Sequence, residues 1–263
     1  MRQNMRLTIL GSGTSTGVPQ VGCTCPTCSS ADPRDKRLRC SSLLEVDGCR
    51  ILFDCGPDFR AQMMGVPFAQ IDGVLITHEH YDHVGGLDDL RPFCKFGDVD
   101  VYAEDYCMER LRQRIPYCFT PKERRYPGVP GINLVQVCPN EPFIVGDKVK
   151  VLPFRVMHGG LPILGYRIGG LVYITDMKTI PTESLAAVRG AEVLVVNALR
   201  QLEHNSHQTI EDAIEFAKSM KVREIYLIHM SHHVLPHEQE EAKLPPHFHL
   251  AYDGLVINIP CGK

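Results

Sequence analysis

The chain has 263 residues, 44% of them hydrophobic and 22% charged, with a formal net charge of −3 at pH 7. That is the balance of a globular chain long enough to bury a sizeable core. It argues against a protein whose main task is to grip nucleic acid, because no strongly basic face is needed to account for the totals.

In chain order, "MRLTIL" (5–10) reads as a buried strand closed by the glycine-rich "GSGTSTG" (11–17). A cysteine loop follows, "VGCTCPTCSS", with Cys23, Cys25 and Cys28 spaced C-x-C-x-x-C. "SSLLEVDGCRILFDCG" (41–56) reads as a hairpin turned at Asp47-Gly48. "PDFRAQMMG" predicts a short helix that starts at Pro57 and ends before Gly65. "IDGVLIT" (71–77) predicts a strand, and a helix is expected at about 84–94. Residues 116–131 read as a loop with four prolines and a small basic cluster, Lys122, Arg124 and Arg125. Strands are expected near 132–138, 149–157, 163–168 and 171–175, then a helix near 182–189 and the buried strand "AEVLVVNAL". "TIEDAIEFAKSM" (209–220) is an amphipathic helix with Thr209 or Ser206 as its cap. "EIYLIHM" (224–230) predicts a strand, and "HFHLAYDGLVINI" a closing hairpin turned at Asp253-Gly254.

No apolar run of about 18 residues predicts a membrane span, and "MRQNMRLTILGSG" lacks the apolar core of an export signal. A cytoplasmic, reducing setting is therefore expected. There, clustered cysteines bind metal more often than they pair. The scattered cysteines, Cys261 among them, read as small buried hydrophobes.

"THEHYDHVGG" (77–86) carries the strongest chemistry. His78, His80, Asp82 and His83 follow an apolar strand within six residues. Imidazole and carboxylate are ligands for zinc, manganese and iron. Four of them in one segment exceed what a single mononuclear site draws from one loop, and suggest two metals close together. His158, Asp176 and His229 each end a later apolar run, where a sheet would present them to one edge.

H-x-H-x-D-H after a strand resembles the signature of the metallo-β-lactamase fold. The later positions also appear in order, in "FRVMHGG", "LVYITDMK" and "IYLIHMSH". The resemblance covers nearly the whole chain. It implies one α/β domain over 1–263, a four-layer αβ/βα sandwich. It also implies that His78, His80 and His158 hold one metal, that Asp82, His83 and His229 hold the other, and that Asp176 bridges them.

An aspartate at 176, rather than a cysteine, disfavours the β-lactamases themselves. His80, rather than an acid, disfavours the flavodiiron type. "NALRQLEHNSHQTIEDAIEFA" (197–217) resembles the segment that brings a further histidine in the phosphodiesterase branch; by position it is His207, with His204 competing. "GSGTSTGVP" followed by C-x-C-x-x-C resembles the PhnP-like cyclic phosphodiesterases, which are related to ribonuclease Z. In that group the three cysteines share a structural zinc with a histidine, here His232, with the adjacent His233 as alternative.

The resemblance thus implies a metal-dependent hydrolase of small, cyclic phosphodiesters. Two divalent metals, manganese or zinc, would activate a hydroxide; Asp82 and His207 would be catalytic, His207 as general acid. One zinc would be structural. The substrate would be a small phosphodiester or cyclic-nucleotide-like molecule. No membrane partner and no stable nucleic-acid complex are expected, and a homodimer is the ordinary assembly. The alternatives are a ribonuclease Z-like RNA nuclease and a non-catalytic biosynthesis or binding protein of the PqqB kind.

Overall fold

The computed structural model describes residues 5–260; Cys261 lies outside them. The first half of the chain builds strands β1 (Met5–Gly11), β2 (Ser41–Val46), β3 (Cys49–Phe53), β4 (Gly73–Leu75), β5 (Val99–Ala103) and β6 (Ile132–Gln136). The second half builds β7 (Phe143–Val145), β8 (Val149–His158), β9 (Leu161–Ile168), β10 (Leu171–Ile174), β11 (Val193–Asn197), β12 (Glu224–Ile228), β13 (Phe248–Leu250) and β14 (Val256–Ile259). One sheet runs β14-β1-β2-β3-β4-β5-β6 and the other β13-β12-β11-β10-β9-β8-β7. The helices are α1 (Pro26–Ser29), α2 (Phe59–Met63), α3 (Tyr81–Val84), α4 (Asp105–Arg114), α5 (Leu185–Val188), α6 (Ile210–Met220) and α7 (His237–Glu241).

The continuous apolar runs are explained by burial on both faces of each sheet. Successive side chains of a strand point to opposite faces. In β10, Leu171 and Tyr173 join the cluster between the sheets, while Val172 and Ile174 face α5 and α6. In β3, Ile51 and Phe53 point inward and Leu52 points to the outer cluster that includes Phe59 of α2 and Leu111 of α4. The result is the four-layer arrangement. The inner layer is locked by a stacked pair, Phe53 and Tyr173, with ring centroids 4.3 Å apart. Tyr166 from one sheet donates its hydroxyl to the Ile76 carbonyl of the other at 2.5 Å.

Strand direction decides where the chemistry sits. β3, β4 and β5 pair in parallel, as do β10, β11 and β12. β8 runs antiparallel to β9, and β9 antiparallel to β10, so β8 points the same way as β10. All these C-terminal ends therefore open on one edge of the sandwich. The β2–β3 hairpin turns at Asp47-Gly48 with both residues at positive φ, the conformation a two-residue hairpin loop of this hand requires. Helix α6 starts with a capping box: Thr209 Oγ1 accepts from Asp212 N–H, and Asp212 accepts from Thr209 N–H, both at 3.0 Å.

Two expectations are corrected. The closing segment is not a hairpin: β13 pairs with β12 in one sheet and β14 with β1 in the other. The Asp253 carboxylate explains the crossing. It accepts from Ser12 N–H and Oγ–H and from Leu38 N–H, pinning the chain between the sheets rather than turning it back. The helix expected at 84–94 is instead α3, ending at Val84, followed by tighter helical turns over Leu87–Phe96. Pro92 cannot donate inside a regular helix, and a Cβ on Gly86 would meet the Gly56 carbonyl at 2.0 Å.

Candidate functional site

The common edge gathers one residue after another from strand ends. His78 and His80 leave β4 in the following loop, and Asp82 and His83 sit on α3. His158 is the last residue of β8, Asp176 follows β10, and His229 follows β12. The structure brings all seven together in overlapping groups that could hold metal ions: His78, His80 and His158; Asp82, His83 and His229; and His78, His83 and Asp176, ligand atoms within 4.8 Å of one another in each group. His207, just before α6, joins His158 and Asp176 in a further group. His204 lies behind it, its Nδ1 3.1 Å from that of His207. Six of the seven are buried, and His80 is half-buried.

The chain is bent into place at cost. Asp176 and His229 adopt left-handed backbone conformations, φ 57° and 58°, as does Asp54 at 55°. Non-glycine residues pay for this, and such residues cluster where side-chain aim matters.

Two of the candidate ligand rings, and the turn that carries Asp176, are held from behind. The His158 Nδ1–H donates to the Ser206 carbonyl at 2.9 Å, leaving Nε2 for the cluster. The His83 Nδ1–H donates to Asp54 at 2.7 Å. Asp54 also accepts from Thr77 N–H and Oγ–H. Asn197 brackets the peptide after Asp176: its Oδ1 accepts from Met177 N–H at 2.7 Å and its Nδ2 donates to the Met177 carbonyl at 2.9 Å. Asp54 and Asn197 are site residues that the motif search did not single out. Their signal is faint but present: each is a polar residue ending a buried strand, in "ILFDC" and "VLVVNA".

The electrostatics are those of a centre built for added positive charge. Burial pushes the Asp176 carboxyl up, but His229 and His83 outweigh it and hold it well below the ordinary range. Asp82 is likewise lowered against its burial, chiefly by His83. Burial works against charge on His83, yet Asp82, Asp176 and Asp54 hold it well above the usual imidazole value. Burial, reinforced by His83, keeps His78 well below it. His207 falls to about 4, because burial outweighs its 2.8 Å hydrogen bond to Asp176.

The residues fit divalent cations on an observation of their own. His83 Nε2 and both ring nitrogens of His229 are buried with no well-aligned hydrogen bond among the described residues. Asp176 oxygens approach the two Nε2 atoms to 3.1 and 3.0 Å out of line, and His229 Nδ1 faces no partner. Buried polar atoms are seldom left so. A set of imidazoles and carboxylates converging on such orphan nitrogens is a metal donor set.

A second cluster lies nearby. Cys23, Cys25, Cys28 and His232 converge, with His232 Nδ1 3.1 Å from Cys23 Sγ and 3.6 Å from Cys25 Sγ. His233, the alternative fourth member, is not in the group. Cys28 N–H donates to Cys25 Sγ. That bond, with His232 and Cys23, outweighs desolvation and lowers the Cys25 thiol to about 6, whereas desolvation and its neighbours push Cys28 up to about 11. Three thiols and one imidazole match a closed tetrahedral zinc set. The cysteine loop is tied to the strand-end segment by Thr27 Oγ1–H donating to the Val234 carbonyl at 2.6 Å, and by Thr14 N–H donating to the Met230 carbonyl at 3.0 Å.

Comparison with known proteins agrees with this architecture. Residues 49–230 match the beta-lactamase superfamily domain. A solved structure described as a new diphosphatase from the PhnP family is 37% identical, covers 98% of both chains and superposes with a TM-score of 0.90. Zinc-bound PqqB from Methylobacterium extorquens has the same fold at 21% identity and a TM-score of 0.82, over 97% of this chain and 100% of that one. An octanoyltransferase of Porphyromonas gingivalis is 49% identical over 253 residues, which is 95% of this chain but 51% of that protein. The chain thus spans about half the length of that curated relative. Among the described residues no helix is long and apolar enough to cross a membrane. The chain belongs to the beta-lactamase superfamily, on its PhnP-like branch.

Proposed function

We propose that this protein is a metal-dependent phosphodiesterase acting on small, cyclic phosphodiesters, with two divalent cations at the strand edge and one structural zinc. The observation that carries the reading is the ligand cluster itself. Two histidine-rich groups meet at Asp176, which clusters with His78 and with His158 on one side, and on the other lies with Oδ2 3.1 Å from His83 Nε2 and Oδ1 3.0 Å from His229 Nε2. His78, His80 and His158 would hold one cation, Asp82, His83 and His229 the other, with Asp176 shared. Cations bound there supply a nucleophile from water near neutral pH and offset charge on the phosphoryl oxygens.

The chain's own groups do the rest. Asp54, Ser206 and Asn197 fix the aim of His83, His158 and the Asp176 turn, so the site needs little reorganisation on binding substrate. His207 places Nε2 2.8 Å from Asp176 Oδ1 and Nδ1 3.1 Å from Ser206 Oγ. In the imidazolium form Nδ1–H donates to Ser206 Oγ and Nε2–H is the proton that reaches the leaving oxygen, returning the ring to neutral imidazole. The anionic diester would favour that charged form over the neutral one held in the free site, and His207 is the general acid of this reading. The likeness to a PhnP-family diphosphatase supports hydrolysis at phosphorus. The acyl-transfer name belongs to a protein about twice as long. Manganese and zinc both suit these donors. A cytoplasmic enzyme acting as a homodimer completes the proposal.

The test is metal analysis joined to a diesterase assay on a 2′,3′-cyclic nucleotide. Three metal equivalents, with turnover abolished by chelator and restored by manganese or zinc, would support it. A single tightly held zinc with no diesterase activity would move the assignment to a non-catalytic, PqqB-like role. Tight, salt-sensitive RNA binding with RNA cleavage would move it to the ribonuclease Z kind.

A further inference from the structure

Helix α4 buries Cys107, Met108 and Leu111 in the outer apolar cluster. Two further residues of the helix reach Glu79, the buried residue between His78 and His80. The Tyr106 hydroxyl donates to the Glu79 carboxylate at 2.9 Å, and Arg114 Nη1 donates to the Glu79 carbonyl. Glu79 is thus held by side chain and main chain at once. Neighbours along an extended segment point to opposite sides. His78 and His80 turn into the group with His158, and Glu79 turns to α4. His80 is the half-buried member, and among the described residues its ring has one hydrogen-bond partner, His78, at 2.9 Å. Its aim therefore depends on the backbone that Glu79 fixes.

The same helix is tied to the other supplier of that group. Glu104, immediately before α4, forms a two-pronged, partly buried pair with Arg155, at 2.5 and 2.6 Å. Arg155 stands on β8, the strand that ends in His158. α4 is therefore a strut between the segment carrying His78 and His80 and the strand carrying His158. The second group is anchored elsewhere. The His83 carbonyl accepts from Cys55 N–H at 2.7 Å, and the His83 ring is held by Asp54 at 2.7 Å. Met230 N–H, next to His229, donates to the Ser12 carbonyl at 3.0 Å. Among the described residues no side-chain hydrogen bond joins α4 to Asp82, His83 or His229.

Resting on the two-cation reading above, we infer that Glu79, Tyr106 and Arg114 are positioning residues for one of the two cations only. Through the strut they hold His78 and His80 in register with His158 and so set the affinity of that site. The site of Asp82, His83 and His229 is set independently. The role of Glu79 is one of aim rather than charge: its carboxylate is turned to Tyr106 and serves as a hydrogen-bond acceptor. Groups that orient ligands from behind act on metal affinity in this way.

Manganese titration of the full chain, followed by electron paramagnetic resonance, tests this. Manganese prefers nitrogen and oxygen donors to thiolates, so it reports the strand-edge sites rather than the cysteine cluster. The wild type should give the signal of a coupled pair once both sites are filled. In Tyr106→Phe and Glu79→Ala one cation should bind about tenfold more weakly, so that a mononuclear signal persists. Tyr106→Phe removes one hydroxyl from a residue that is 45% exposed, and carries the test if Glu79→Ala does not fold. Glu79→Gln keeps the acceptor and loses the charge, and should bind like the wild type. Single-site backgrounds locate the effect. With His229→Ala, which spares the His78, His80 and His158 group, adding Tyr106→Phe should weaken manganese about tenfold; with His158→Ala it should change nothing. Equal weakening in both backgrounds, Glu79→Gln as weak as Glu79→Ala, or wild-type affinity in Tyr106→Phe overturns the strut and leaves the two-cation reading standing. No coupled pair in the wild type overturns both.

Discussion

The Asp54 carboxylate and the His83 imidazole meet at 2.7 Å with both side chains fully buried, on the far side of His83 from the ligand cluster. Asp54 fixes which ring nitrogen of His83 carries its proton and turns Nε2 toward Asp82 and Asp176. An Asp54→Asn variant keeps the size but loses the charge. Its affinity for the cation proposed to sit with Asp82, His83 and His229 should drop by about 10–100-fold. Chelator competition against metal-loaded protein reads this directly. Unchanged metal retention would remove Asp54 from the site.

His207→Ala should retain metal and fold but lower turnover on an unactivated diester by about 10²–10⁴-fold. A nitrophenyl ester, whose leaving group needs no proton, should show a much smaller loss. An equal loss on both substrates would indicate that His207 serves the metals rather than the leaving group. A full loss in His204→Ala with His207 intact would transfer the role to His204.

The cysteine cluster makes a pH-dependent prediction. In chelator-stripped protein the Cys25 thiol, lowered to about 6, is largely thiolate at pH 7, while Cys28, pushed up to about 11, is protonated. Thiolate is the reactive form, so iodoacetamide at pH 7 should modify Cys25 well before Cys28, and the difference should fade at pH 5 as Cys25 is protonated. Bound zinc should protect all three cysteines and release protons on binding. Equal labelling with and without zinc would dismiss the Cys₃His assignment.

Thr209→Ala removes the side-chain acceptor of the α6 capping box and should cost about 1 kcal/mol in stability, measured by denaturant unfolding. The cap lies two residues past His207. The variant therefore also tests whether the segment carrying His207 depends on the helix start. A loss of turnover larger than the stability change predicts would show that it does.

The convergence of these residues was legible in the sequence because His158, Asp176 and His229 each stand at the end of an apolar run, as the H-x-H-x-D-H segment follows one. Strands paired in parallel put such ends on one edge, so His158, Asp176 and His229 could be read alongside the H-x-H-x-D-H loop without knowing the pairing. Asp54 was harder to see. It ends the β2–β3 hairpin, where an aspartate ordinarily signals a turn, and its partner His83 is 29 residues away. The last strands show the opposite failure. Asp253-Gly254 between two apolar stretches is good hairpin chemistry, and local pattern cannot reveal that Ser12 and Leu38 claim the Asp253 carboxylate for another sheet. The expected helix at 84–94 failed for a related reason: the close approach of Gly86 to Gly56 is set by tertiary packing.

The left-handed turns at Asp54, Asp176 and His229 should couple cation loading to backbone order at this edge. Charge-neutralising ligation by the proposed centre would offset the conformational cost of holding three non-glycine residues there. Stripped of cations, the protein should stay folded through its inner apolar layer while these three turns loosen together. Amide exchange would then begin at the rim, long before the sheets open. A partly loaded preparation would look like a mixture of stiff-edged and soft-edged molecules sharing one intact core.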